Sequence, residues 1–208
     1  MPKTIPIHQD PYDMGFRLFP KKEITLEPGV TALVGCNGSG KTTLLRGIES
    51  YLKKNDIPYL KYSNHADGGH NAMNAYDFFG QTDMLVRNFV SSEGEQLHNN
   101  FGELFVVKAG RMIRTHPDAK EIWFLLDALD SGSSIDMIRE IKDLFSLILE
   151  DANDKDIYIV VAVNSFELAK DADCISVRTL KHMSFKGYGA YTKEVLLSRK
   201  KKDRRKYK

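Results

Sequence analysis

Thr31-Ala-Leu-Val34-Gly35-Cys-Asn-Gly-Ser-Gly40-Lys41-Thr42 joins a short β-like apolar run to a glycine-rich turn and then to a helical pattern. Residues 35–42 match G-x-x-x-x-G-K-[ST] at every fixed position, in the strand–turn–helix setting that the chemistry requires. Glycines let successive backbone N–H groups turn inward around phosphate oxygens, and the helix starting near Lys41 adds the positive end of its dipole. Lys41 is then placed to bridge β- and γ-phosphates, and the Thr42 hydroxyl to ligate Mg²⁺. The expected nucleotide contacts are Gly35, Asn37, Gly38, Ser39, Gly40, Lys41, Thr42 and Thr43. ATP and Mg²⁺ are the expected ligands.

Working outward, Leu44, Leu45, Ile48 and Leu52 recur at helical spacing, which predicts a helix over 41–54. Upstream, residues 16–34 alternate apolar runs with Pro20 and Pro28-Gly29, predicting two or three strands ending at Val34. Downstream, a short strand is expected at 57–60. Residues 61–92 are rich in Asn, Asp, Gly and Ser and read mostly as loop. A helix is expected from Glu95 to about Ile113. Continuous apolar runs at 122–126, 157–163 and 174–177 predict strands buried on both faces of a parallel sheet. Between the first two of these, Ile135, Ile138, Ile141, Leu144/Phe145 and Ile148 mark an amphipathic helix. Residues 183–197 read as a closing hairpin around Lys186-Gly-Tyr-Gly189. Strands alternating with helices of this length define an α/β domain with a mainly parallel central sheet flanked by helices.

Composition narrows the setting. The chain has 208 residues, 42% hydrophobic and 28% charged, enough for one domain with a sizeable core. Two cysteines, Cys36 and Cys174, are too few for a disulfide framework, so a reducing, cytoplasmic location is expected. No apolar run approaches ~18 residues and no signal-peptide core is evident, so no membrane role is expected. The net charge of +2 conceals an asymmetry. Residues 198–208 hold eight Lys/Arg against one Asp, a net of +7, leaving 22 against 27 and a net of −5 in residues 1–197. The expected organisation is an ATPase domain over 1–197 and a basic carboxy-terminal tail over 198–208.

A second acidic element follows the first motif. Ile122-Trp-Phe-Leu-Leu126-Asp127 is a hydrophobic strand ending in a carboxylate, as in a Walker B motif, with Asp127 placed to hold Mg²⁺ through a water. Lys41 and Asp127 are thus the candidate catalytic groups. Ala128 follows, where many P-loop ATPases carry a glutamate that orients the attacking water.

Ser91-Ser-Glu-Gly94-Glu-Gln96 resembles the signature motif of ATP-binding-cassette (ABC) ATPases, in the S-x-G-E form of repair and chromosome-maintenance ATPase heads. It lies 51 residues after Lys41 and 35 before Asp127, measured at Ser92. Asp130-Ser-Gly-Ser-Ser-Ile-Asp136 is similar to that family's D-loop, and Asn164 falls where the family has its switch histidine. The motif order holds across residues 31–165, about two thirds of the chain. The resemblance implies a P-loop NTPase fold of ABC type with a short signature-helix lobe. It further implies a head-to-tail homodimer with two ATP–Mg²⁺ sites. Ser92 and Gly94 would face the γ-phosphate across the dimer, with Asp136 at the subunit boundary.

Two departures bear on hydrolysis. Ala128 replaces the family's glutamate and Asn164 its histidine, so binding groups are kept and water-activating groups are not. An engineered Glu→Ala change and a naturally slow enzyme both account for Ala128. Small phage-encoded ABC-like ATPases look similar here, which would place the protein in a host cytoplasm. Gln81 is the candidate Q-loop metal ligand and Asp67 a second, with solvated loop residues as the plain alternative for each. Tyr12 or Phe16 could stack on adenine or simply pack. His65 and His70 lack the further ligands of a metal site.

The basic tail can neutralise several phosphates by counterion release, so nucleic acid is the preferred partner. A disordered end, packing on an acidic neighbour and an anionic membrane surface are the alternatives. The leading expectation is an ABC-type ATPase serving repair, replication or phage–host conflict. The others are a non-hydrolysing ATP-dependent binding module and an ABC transporter ATPase subunit. The 51-residue spacing is too short for long coiled-coil arms.

Overall fold

The β-branched and aliphatic runs pair along their full length, because a strand apolar on both faces is stable only inside a sheet covered on both sides. In the computed structural model, which describes residues 1–13, 15, 17–64, 101–131, 133–152 and 154–206, two strands open the chain. They are β1 (Lys3–Pro6) and β2 (Glu23–Leu26), an antiparallel pair in register Lys3 to Leu26. Strand β3 (Gly29–Val34) leads through the glycine turn into α1 (Lys41–Lys54), and β4 (Tyr59–Ser63) follows. A π-type turn at Phe101–Val106 runs into α2 (Val107–Thr115) and then β5 (Glu121–Asp127). After α3 (Ile135–Glu150) come β6 (Asp156–Val163) and the one-turn helix α4 (Phe166–Ala169). The described chain closes with β7 (Asp173–Ser176), β8 (Lys181–Met183) and α5 (Tyr188–Lys206).

The larger sheet has the order β4-β5-β6-β3-β7-β8, parallel throughout except for β8. Register is continuous across its centre, Gly29 opposite Tyr158 through Val34 opposite Val163, and Glu121 opposite Asp156 through Asp127 opposite Ala162. The two-residue period of a strand divides each apolar run between two cores. Ile122, Phe124 and Leu126 join Ala32, Val34 and Ile159 in one, covered by α2 and α3. Trp123 and Leu125 join Leu33, Tyr158 and Val160 in the other, covered by Leu44, Leu45, Ile48 and Leu52 of α1. Trp123 and Tyr158 stack across β5 and β6 at 4.0 Å between ring centroids.

Helix α1 and strands β5, β6 and β7 lie within a residue or two of their predicted bounds. Strand β4 begins at Tyr59 rather than 57, and β1 was not expected. The hairpin expected over 183–197 is not formed. Strand β8 pairs back onto β7 instead, and 188–206 is one helix, whose middle, Tyr191-Thr-Lys-Glu-Val-Leu-Leu, is free of glycine and proline. The boundary expected at residue 197 falls inside that helix, so residues 198–206 are helical and not a loose end. The helix expected from Glu95 is described from Phe101 onward. The signature-helix lobe, including Ser92 and Gly94, lies outside the described residues, as do Gln81, Asp67, His65, His70 and Phe16.

Phe105 shows what holds the described end of that segment to the sheet. It is buried, stacked on Phe101 at 4.8 Å and edge-on to Tyr62 and Phe124 at 5.9 and 5.7 Å. Phe105→Ala is expected to lower the unfolding free energy by about 3–5 kcal/mol, read from the urea midpoint.

Candidate functional site

Because β3, β4, β5 and β6 are parallel, their carboxyl ends open on one edge of the sheet, where ligands bind in open α/β folds. That edge carries the glycine turn after Val34, Asn64 after β4, Asp127 ending β5, and Asn164 after β6. The glycine turn is built as the motif predicts. Gly40 precedes α1 with φ of 107°, a left-handed conformation that a side chain would strain. A Cβ there would also crowd Leu18 and Phe19 at 3.2 and 3.3 Å. Ser39 N–H donates to the Cys36 carbonyl at 3.0 Å, and Leu44 N–H to that of Gly40 at 2.8 Å, closing the loop onto the first turn of α1.

Lys41 is folded into this loop. Its ammonium donates to the Gly35 carbonyl at 2.8 Å and, more weakly, to that of Cys36 at 3.4 Å, and the residue is buried. Burial lowers its pKa below the usual lysine value, since the ammonium's lost hydration outweighs the attraction of Asp130, Cys36 and Asp127. A buried cation inside a glycine loop is matched to an anion. Thr42 and Asp127 line one small recess with Arg46, Glu49 and Lys61. Thr43 Oγ1 pairs with the Tyr12 hydroxyl at 2.7 Å, and both border a cleft of about 450 Å³ between residues 6–19 and α1. Asn37 and Gly38 are exposed at the loop's tip, and the Ser39 hydroxyl is buried without a hydrogen-bond partner among the described residues.

The turn after β5 is clamped from both sides. Asp130 accepts from the backbone N–H of Asn164 at 2.5 Å and of Ser165 at 2.6 Å, and from the Asn164 side-chain amide at 3.3 Å. Asn164 is therefore oriented by Asp130. On the other side, the Asn64 side-chain amide donates to the carbonyls of Ala128 and Leu129 at 2.8 and 3.1 Å. Its Oδ1 is buried with no partner among the described residues. Ala128 holds φ of 58°, in the left-handed region that disfavours a side chain. Asp136 sits exposed in the first turn of α3.

Three residues of this site escaped the sequence reading. Asn64 gave no motif, and only the pairing of Ser63 with Asp127 puts it beside the Walker B turn. Asp130 was read as the start of the D-loop, but not as a clamp on Asn164. Ser198, assigned to the tail, accepts the Cys36 N–H at 2.7 Å from α5.

A parallel sheet whose strand β3 feeds a glycine loop and a helix, with β5 ending in Asp127 two places along the sheet beyond β6, has the layout of a P-loop nucleoside-triphosphate-binding fold. Residues 14–206 match the sequence profile of the AAA domain family, and the chain belongs to that family. It is 43% identical over 53 residues to the DNA replication and repair protein RecF of Arthrobacter sp. strain FB24, a stretch covering 23% of this chain and 13% of that protein. A Streptococcus thermophilus crystal structure superposes with a TM-score of 0.48 at 12% identity, over 87% of this chain and 76% of that one. A Pyrococcus furiosus protein described as an ABC transporter ATP-binding protein gives 0.40 at 19% identity, over 80% and 92%. Among the described residues, no helix is long and apolar enough to cross a membrane.

Two measurements test the site's electrostatics. Asp130→Ala strands two backbone amides and the Asn164 side-chain amide and should cost about 2–3 kcal/mol of stability by urea unfolding. For Lys41, a folded-state pKa below the unfolded one means the unfolded chain binds more protons between the two values, so stability rises with pH there. Wild type should accordingly gain stability relative to Lys41→Met as pH climbs towards the usual lysine value of 10.5, measured by paired melts.

Proposed function

We propose that the chain binds ATP with Mg²⁺ at this edge, and that two copies close head to tail around two nucleotides in the service of a nucleic-acid process. The observation that carries the reading is the buried Lys41 ammonium inside a glycine loop that opens beside Thr42 and Asp127. The loop amides and Lys41 take the phosphates, and Tyr12 with the adjoining cleft takes the base side. Thr42 and Asp127 hold the metal, and the buried Oδ1 of Asn64, unpartnered among the described residues, makes that residue a candidate beside Gln81 for the remaining metal or water contact. The metal, when bound, neutralises charge on the β- and γ-phosphates. Ser92 and Gly94 of a second copy complete each site, with Asp136 near the boundary. The likeness to a DNA replication and repair protein and the cations of α5 support nucleic acid as the partner class.

A second reading, an ATP-dependent binding module that does not hydrolyse, is favoured by two observations. Ala128 carries no group able to activate water, and the Asn164 amide is engaged by Asp130. In single-turnover assays this module leaves ATP intact, and Ala128→Glu restores cleavage. Light scattering after size exclusion tests the dimer. Wild type with ATP–Mg²⁺ should double in mass, and Ser92→Arg should remain monomeric under the same conditions. A wild type that stays monomeric in ATP overturns the dimer.

A further inference from the structure

The cationic helix α5 does not project away from the nucleotide edge. Glu194, Ser198 and Lys202 follow one another at four-residue spacing, which places them on one face of the helix. Each makes a polar contact with the sheet's carboxyl edge. Glu194 is buried, accepts from Ser176 Oγ at 2.5 Å, and takes the Arg178 guanidinium through two bonds of 3.0 and 2.8 Å. Ser198, also buried, donates to the Val195 carbonyl and accepts from Cys36 N–H, both at 2.7 Å. Lys202 Nζ donates to the Asn37 carbonyl at 3.2 Å. These bonds fix the helix in rotation and along its axis, and so deliver Lys202 to the tip of the phosphate loop.

The loop is shaped to receive it. Gly38 has φ of 74°, and a Cβ there would come within 3.5 Å of Lys202 Cδ, so the lysine stem lies against the glycine backbone. An ammonium carries three donors and no acceptor. The Asn37 carbonyl engages one, and among the described residues the carboxylate paired with it, Asp203, stands 3.9 Å away, beyond hydrogen-bond distance. The side chain is 27% exposed, so its charge is only partly hydrated. Lys41 holds its own ammonium on Gly35 and Cys36 carbonyls from within the same loop. Two cations therefore flank residues 35–37, one from inside and one from α5.

The two ends of the loop differ. Thr43 and Tyr12 border the cleft at the α1 end, which the proposed function assigns to the base, whereas Asn37 lies at the opposite end of the loop, which on that reading faces the end of the polyphosphate chain. We propose that Lys202 is a further phosphate-binding residue, contributed by α5, that contacts the terminal phosphate of the bound nucleoside triphosphate. This rests on the ATP-binding reading above. A charge-assisted contact to the third phosphate discriminates triphosphate from diphosphate, which lacks that group.

Calorimetric titration of the full chain with Mg·ATP and Mg·ADP tests it, using Lys202→Met, which keeps the stem against Gly38 and removes the ammonium. Lys200→Met on the exposed side of α5 controls for general charge. Lys202→Met should weaken ATP binding about tenfold while changing ADP binding less than about threefold, and Lys200→Met should leave both within about twofold. Equal losses for ATP and ADP would make Lys202 a helix anchor or a diffuse charge and overturn the proposal, as would no change for either. A wild type that fails to bind ATP brings down the ATP reading itself. A wild type that binds ATP, with an unchanged ATP-to-ADP ratio in Lys202→Met, brings down only the role of Lys202.

Discussion

The in-register parallel pairing of β3 with β6, from Gly29 opposite Tyr158 to Val34 opposite Val163, is the constraint on which the site depends. It ends both strands at the same level, so the loop after Val34 and the residue after Val163 emerge side by side. Pairing of β5 with β6 sets Asp127 and Asp130 at that same level. Apart from Asp127 and Asp130, none of these groups is near another in sequence. A slip of one residue in either ladder would turn every buried side chain of the strand to the opposite core. The apolar runs are full on both faces, with different volumes on each, so packing and site geometry are fixed by one register.

At the site, each polar group that faces inward is answered by main chain more often than by side chain. Lys41 rests on carbonyls, Asp130 takes backbone amides, Asn64 donates to carbonyls, and Ser198 accepts an amide. Loops of Gly, Ser and Asn expose their backbone, and an exposed backbone has to be satisfied by whatever approaches it. Among the described residues, the arrangement ties four separated segments together without a buried ion pair between them.

How much of this could be read from the sequence depends on range. The glycine loop, α1 and the three inner strands were legible because the signal is local: a fixed motif, an i, i+3, i+4 repeat and unbroken aliphatic runs. Asp127 was legible because strand and carboxylate are contiguous. Asn64 was not, since its role arises only from the pairing of β4 with β5. Helix α5 was misread because Gly187 and Gly189 suggested a turn within a hairpin, whereas the chain folds β8 back first and starts the helix at Tyr188. The charge asymmetry was legible as composition, but its placement against the phosphate loop required Ser198 to meet Cys36 across 162 residues of chain.

Cys36 sits at that meeting point, buried beneath α5 with its N–H held by Ser198. Its backbone is tied to the same helix that brings Lys202 to the loop. The phosphate loop is thereby braced through its own main chain by a segment 162 residues further along, so a substitution that displaces α5 displaces the loop with it.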